Sequence, residues 1–245
     1  MKYKSVHIIS DNFNLLNRFE KEVLPLVSEL NVKFSLSISP HSNKGLFNNL
    51  DNKVEVLNLK SNNDLNYLKS KDLIISMHSK QLFPPNLFST VRCVNVHPGY
   101  NPINRGWYPQ VFAIINDNLV GVTIHEIDET IDGGKIIFRE KVKKLEHDTS
   151  LSLYNRIISK EIEMLKKNIN VLITGNYKSN KPHYLGNLNL KKDFLKLCEI
   201  DLDEKVTFKQ AIDKLRSLSH KPYRNAFFYN ENKKKIYINI ELEEE

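Results

Sequence analysis

Alternation is the feature of this sequence that most restricts its fold. Short apolar runs at residues 4–9, 32–39, 54–59, 72–76 and 91–97 are separated by stretches compatible with helix. The clearest such stretch, 13–30, carries Phe13, Leu16, Phe19, Val23, Leu24, Val27 and Leu30 at helical spacing. Strands that alternate with helices pair through crossovers. The pattern therefore predicts an α/β fold, a mainly parallel, Rossmann-like sheet covered on both faces. Such sheets bind ligands beyond the carboxyl ends of their strands, where the strand order reverses.

The turn after the first run reads SDNFN (10–14), not G-x-G-x-x-G. A dinucleotide oxidoreductase is thereby disfavoured, and Asp11 or Asn12 is left to cap the next helix. Two further strands, 120–128 and 135–142, enclose Asp132-Gly133-Gly134, a tight-turn signal. A long helix is predicted over 149–173, capped by Thr149, with Leu151, Tyr154, Ile158, Ile162, Leu165 and Ile169 facing inward. Beyond Gly175 the chain turns polar and loop-rich. A helix over 207–220 and a hairpin of 225–229 with 234–242 follow, and the final glutamates are expected to be disordered. The chain thus divides into a main domain, 1–175, and a small C-terminal helix and β-hairpin region, 176–245.

With 245 residues, 40% hydrophobic and 27% charged, the chain can build a core without staples. Its two cysteines, Cys93 and Cys198, lie far apart and form no C-x-x-C. A thiolate metal site or disulfide framework is therefore disfavoured, and a reducing cytoplasm fits. No apolar run approaches the ~18 residues of a membrane helix, and the N-terminus lacks a signal-peptide core. The formal net charge of +7 suits either an anionic partner or a solvated, lysine-rich surface.

Constraint is concentrated in the middle. Five of nine prolines fall between Pro84 and Pro109, and five of eight glycines between Gly99 and Gly134. These residues fix or permit unusual backbone angles, so they mark shaped loops at the end of the fifth strand. Asn95 and His97 are two apart on that strand and leave the same face. Asp132 arrives on a neighbouring segment, and a carboxylate beside an imidazole fixes its tautomer and supports its cation. No activated Ser or Cys sits close by in sequence, so the set suits a reaction whose substrate supplies the nucleophile. Each residue has a structural alternative as well: a strand-end histidine, a backbone-capping asparagine and a turn-forming aspartate.

NVHPGYNPINRGWYP (95–109) with GVTIHEIDETIDGG (121–134) resembles the paired motifs of formyltransferases that use N10-formyltetrahydrofolate. The matching elements are Asn95, His97, Pro102, Arg105-Gly106, Gly121-Val122-Thr123 and Asp132-Gly133-Gly134. The resemblance covers roughly residues 1–175. It implies that Asn95, His97 and Asp132 are catalytic: Asn95 donating to the formyl oxygen, His97 stabilising that oxygen or relaying a proton, and Asp132 pairing with His97 and helping to deprotonate the attacking amine. It implies N10-formyltetrahydrofolate as co-substrate and no metal. The stretch 72–84 would help form the folate pocket, with Met77, Ser79, Phe83 and Asp128 as cofactor-binding residues.

PGYNP (98–102) departs from the Ser-Leu-Leu-Pro type stretch of ribonucleotide and methionyl-tRNA formyltransferases. It resembles instead the sugar-nucleotide N-formyltransferases that act on dTDP-linked amino-dideoxy sugars of bacterial O-antigens and lipopolysaccharide, as does LRSLSHKPYRNAFF (215–228). The implied substrate is dTDP-4-amino-4,6-dideoxyglucose. A 3-amino sugar is the alternative, a methionyl-tRNA formyltransferase a more distant one, and UDP is not separated from dTDP. Lys80, Tyr100, Asn101, Arg105 and Tyr223 are the expected substrate-binding residues. Among them, Tyr100 and Tyr223, with Trp107 and Tyr108, offer stacking surfaces. Lys80 and Arg105, with Lys221 and Arg224, offer charge for a pyrophosphate. Arg105 has a second reading, as a brace bonded to loop carbonyls. Only about 70 residues follow Gly175, and the segment DLDEKVTFKQAIDKL (201–215) is acidic, so no nucleic-acid partner is expected. Relatives in this family are dimers, and a homodimer is expected.

Overall fold

The computed structural model describes residues 3–245. Its strands are β1 (Ser5–Ile9), β2 (Lys33–Ile38), β3 (Val54–Val56), β4 (Leu73–Met77), β5 (Arg92–His97), the two-residue β6 (Arg105–Gly106), β7 (Val120–Glu126) and β8 (Ile136–Val142). Seven of them form one sheet in the order β3-β2-β1-β4-β5-β7-β8. The five strands from β3 to β5 pair in parallel. The remaining two are added antiparallel. Strand order reverses between β1 and β4, which places a crevice at their carboxyl ends.

Helices α1 (Phe13–Arg18), α2 (Asn62–Lys69), α3 (Pro85–Phe88), α4 (Pro109–Ile115) and α5 (Ser150–Thr174) cover the sheet. On one face Ile8, Ile75, Met77, Val94 and Val96 pack with Leu153, Ile157, Ile162, Leu165 and Ile169 of α5. On the other, Ile9, Ile74 and Cys93 pack with Leu65 and Leu68 of α2 and Leu87 of α3. Each fully buried aliphatic side chain contributes on the order of 1.5–3 kcal/mol, so α5 is held by its apolar stripe more than by helix propensity.

Local chemistry explains the boundaries. Asn12 caps α1 by accepting the Leu15 N–H at 3.0 Å. Asp11, the other candidate cap, instead accepts from Ser39 N, Ser42 Oγ and Lys80 N, tying the ends of β1, β2 and β4 together. The helix expected over 13–30 is α-helical only to Arg18. A π turn follows at Phe19–Val23 and a 3₁₀ turn at Leu24–Leu30, where Pro25 lacks the N–H that an α-helix needs. Thr149 caps α5 as expected, accepting the Ser152 N–H, and Gly175 ends it in the left-handed conformation. Asp132 does not sit in a two-residue hairpin turn. Residues 127–134 form a wider loop closed by the Glu126 N–H to Lys135 O bond.

After Gly175 come β9 (Leu188–Asn189), α6 (Lys191–Cys198), α7 (Phe208–Leu218), a small ladder of β10 (Ser219–His220) with β11 (Tyr223–Arg224), and a hairpin of β12 (Phe227–Tyr229) with β13 (Lys235–Tyr237). Phe194 and Cys198 of α6, Leu218 and Ala226 share a third core with Val111 and Phe112 of α4. The C-terminal region is therefore packed onto the element that follows the glycine- and proline-rich loop. Sequence spacing did not show α4 or α6, both short and mostly stabilised by this shared core.

Candidate active site

β5 delivers Asn95 and His97 to the carboxyl edge of the sheet, and the 127–134 loop brings Asp132 to meet them. The Asp132 carboxylate accepts the Asn95 Nδ2–H at 3.1 Å on Oδ1 and the Gly106 N–H at 3.1 Å on Oδ2. His97 Nδ1 faces Oδ2 at 3.5 Å, and His125 Nε2 faces Oδ1 at 3.4 Å. These are charge contacts at the outer limit of hydrogen bonding. Asp132 adopts φ +47°, which aspartate tolerates better than most residues. Gly106 adopts φ +89°, the turn that aims its N–H at the carboxylate.

His125 had no place in the expected site. It lies opposite Asn95 in the β5–β7 register, at a bulge between Ile124 and His125 in the β7–β8 ladder. Bulges re-aim side chains in this way, and alternation alone gave no sign of it. His125 Nδ1 bonds Glu126 O at 2.8 Å, so it carries the proton and leaves Nε2 as an acceptor for Asn95 Nδ2 at 3.3 Å. Asn95 thus spends both N–H groups inside the cluster. Donation to a substrate oxygen requires exchange of one bond, the longer being that to His125.

Burial drives the His97 imidazole down to about 4, against the upward pull of Asp132. Burial also opposes ionisation of Asp132, but His97 and the Gly106 N–H outweigh it and hold the carboxyl well below the usual carboxylate range. At neutral pH the pair is therefore neutral imidazole beside carboxylate. With Nδ1 turned to the carboxylate, the basic atom of His97 is Nε2. That atom is buried and makes no hydrogen bond among the described residues. Gly99 packs closely against it, since a Cβ there would lie 2.7 Å from His97 Cδ2 and closer still to Nε2. A buried ring nitrogen left without a partner is unusual for a purely structural side chain and is available to a reacting group.

The loop after His97 works as a clamp. Thr123 Oγ1 donates to Gly99 O at 2.7 Å and accepts the Asn101 N–H at 3.0 Å. Asn101 Nδ2 donates to Asp132 O at 2.8 Å, and Arg105 Nη1 to Ile131 O at 2.9 Å. Both residues are buried, and these bonds hold the Asp132 loop, while Asn101 Oδ1 and Arg105 Nε have no partner among the described residues. The polar segment after Gly175 completes the clamp, with β9 pairing to β6, Asn187 Oδ1 accepting the Asn104 N–H and Asn189 O accepting the Trp107 N–H.

The remaining expected residues are scattered. The Met77 side chain is wholly buried in the core at the end of β4. Ser79 Oγ accepts from Gln81 N, Phe83 packs against the second core, and Asp128 accepts from Thr130 N and Oγ1. Lys80 is exposed beyond β4. Tyr100 lies beneath the Arg139 guanidinium at 4.1 Å, and Tyr108 stacks on Phe194 at 4.0 Å as packing. Tyr223 is 67% exposed and lines an open hollow of about 360 Å³ with Lys221, Arg224 and Tyr237. Among the described residues, no group of three or more His, Cys, Asp or Glu side chains is arranged to hold a metal ion. No helix there is long and apolar enough to cross a membrane.

Comparison with known proteins places this geometry. Residues 45–169 match the formyl transferase family and residues 193–244 the N-formyltransferase dimerization C-terminal domain. The chain is 46% identical over 174 residues to the dTDP-4-amino-4,6-dideoxyglucose formyltransferase of Mycobacterium tuberculosis, covering 71% of this chain and 74% of that protein. Its fold superposes on a sugar N-formyltransferase from a Shewanella species with a TM-score of 0.93 at 38% identity, covering 98% of both chains. A 4-N formyltransferase from Francisella tularensis superposes with a TM-score of 0.91 at 37% identity, again covering 98% of both. The Asn95–His97–Asp132 cluster, its loop clamp and these likenesses agree: the chain belongs to the formyl transferase family, among the sugar N-formyltransferases.

Proposed function

We propose that the enzyme moves the formyl group of N10-formyltetrahydrofolate to the 4-amine of dTDP-4-amino-4,6-dideoxyglucose, for use in a surface polysaccharide. The unpartnered, buried His97 Nε2 beside ionised Asp132 is the observation that carries this reading. An amine nitrogen becomes strongly acidic as it bonds to the formyl carbon, so even a weakly basic imidazole can take its proton at that moment. Asp132 supports the imidazolium that forms, and His97 returns the proton to the departing nitrogen. Asn95, released from His125, donates to the formyl oxygen as charge develops there. Asn95, His97 and Asp132 are thus the catalytic set, with Asp132 acting through His97.

The folate-bound donor supplies the formyl group, and the unpartnered His97 Nε2 serves the carbon to be transferred. Ser79, Phe83 and Asp128 support the donor's pocket, and Lys80, Tyr100 and Tyr223 the sugar nucleotide. The likeness to the mycobacterial and Francisella enzymes supports the 4-amine and dTDP. The match of residues 193–244 to a dimerization domain supports a homodimer, and the reaction suits a cytoplasmic setting. A panel of dTDP-, UDP- and GDP-linked 3- and 4-amino sugars, read by mass spectrometry for the gain of one CO, tests the proposal. Product from a 3-amino sugar alone, or from none of the panel, would refute it.

A further inference from the structure

A second histidine–carboxylate pair lies at the same edge of the sheet and has no part in the chemistry above. His78 is the first residue beyond β4, whose last paired residue, Met77, lies against Val96. It therefore emerges beside His97. It adopts φ +59°, uncommon for a non-glycine residue. This turn sends its ring toward α5. There Nε2 meets Glu161 Oε1 at 2.8 Å, and Nδ1 meets Tyr154 Oη at 3.1 Å and Asn12 Nδ2 at 3.4 Å. Asn12 Nδ2 also donates to Tyr154 Oη at 2.7 Å. The Glu161 side chain is wholly buried, and its Oε2 has no partner among the described residues. An unbalanced buried carboxyl is costly to keep for structure alone.

The arrangement has a direction. Tyr154 and Glu161 lie two helical turns apart on one face of α5. Tyr154 is bonded to Asn12, the cap of α1 in the turn after β1, which is one of the two strands between which strand order reverses, and Glu161 is wholly buried. With Nε2–H turned to the carboxylate, His78 Nδ1 accepts the Tyr154 hydroxyl proton. The hydroxyl still has a lone pair free to accept from another donor.

Formyl transfer gives this chain of groups something to do. An amine of ordinary basicity enters as an ammonium at neutral pH and must lose a proton before it can attack. His97, pushed down by burial, is too weak a base for that first step, although it suffices for the second. We propose that Tyr154, His78 and Glu161 form a proton relay that takes the first proton from the substrate ammonium, an inference that rests on the formyl-transfer reading. The substrate N–H bond breaks and its proton goes to Tyr154 Oη, whose own proton moves to His78 Nδ1. The nitrogen keeps the electron pair and becomes a free amine. Its second proton passes through His97 to the departing nitrogen of the donor, and the relay releases the first to solvent once product leaves.

The groups that face the relay are consistent with this. Burial raises the Glu161 carboxyl, with His78 opposing. A charge on His78 would lower His97 further, so the two imidazoles resist being protonated together. From the C-terminal region, the His220 ring packs on Tyr154 at 5.4 Å and Tyr223 on His220 at 5.8 Å.

The test compares kcat/KM of the wild type, Tyr154→Phe and His78→Gly across neutral to alkaline pH. Glycine relieves the positive φ at 78, so that backbone is not strained by the change. Both variants should lose about 100-fold near neutral pH and come within about tenfold of wild type near pH 9.5, where the substrate deprotonates unaided. Added imidazole should restore His78→Gly near neutrality. A deficit that stays the same at every pH without imidazole rescue, a variant as active as wild type, or loss of the fold in His78→Gly would each overturn the relay. Failure of the formyl-transfer reading is distinguishable, because the wild type itself would then form no formylated sugar.

Discussion

Replacing Gly99 by alanine probes the site with a single methyl group. The new Cβ would lie 2.7 Å from His97 Cδ2, whereas unstrained carbon atoms approach to about 3.5 Å, so the imidazole must retreat by about 1 Å. The next neighbour, Pro109 Cβ, is already at 3.5 Å, so the backbone has little room to back away. Gly99 is not at a positive φ, and the substitution strains the ring rather than the chain. Misplacing a reacting group by about 1 Å costs roughly 100-fold in rate, and overpacking a buried site costs about 1–3 kcal/mol. The expected variant is folded, with a lowered melting temperature, and turns over about 100-fold more slowly. A mass-spectrometric rate assay on matched wild-type and Gly99→Ala protein, with calorimetric melting as the control for folding, measures both. Turnover within threefold of wild type would show that His97 Nε2 is not where the reaction takes place.

Asp132→Asn removes the charge that supports the His97 cation while keeping the Gly106 N–H contact; kcat should fall about 10²–10⁴-fold in a turnover assay, with KM little changed. Burial holds His97 near 4 and, with help from Lys71, His7 near 3, so both rings stay neutral in the fold and take up protons on unfolding below about pH 6.5. The melting temperature should therefore fall as pH drops from about 6.5 towards 4, and fall again below about 4 as Asp132 begins to lose its ionised advantage; a flat profile from pH 8 to about 5 would contradict this. Arg216 bonds Asp148 O at 2.8 Å and pairs with Asp213 at 2.7 Å, joining α7 to the start of α5. Arg216→Met should cost about 1–3 kcal/mol in urea unfolding, since it leaves the buried Asp148 carbonyl unpaired, while Asp213 keeps Lys209 at 2.7 Å.

Much of this protein can be read from local sequence. Parallel strands buried on both faces must be apolar runs, and β1, β2, β4 and β5 appear where those runs lie. Thr149, Asn12 and Thr207 act as caps because a side-chain oxygen before a helix satisfies its free N–H groups wherever the helix later packs. Asn95 and His97 share a face because strand geometry has a period of two, and the motif spacing brought Asp132 to the same site. What the chain could not show is whatever depends on which segments become neighbours. Asn101 and Arg105 look like substrate ligands in sequence, and only the fold shows that both hold the Asp132 loop. His125 enters the cluster through a bulge that alternation does not encode, and His78 turns to Glu161 through a left-handed backbone that no residue pattern announces. The basicity of His97 was likewise undecided until the fold removed water from around it. Periodicity and capping act within a few residues and are written along the chain; burial, hydrogen-bond partners and charge coupling depend on groups far apart in sequence, and only the tertiary structure brings them together.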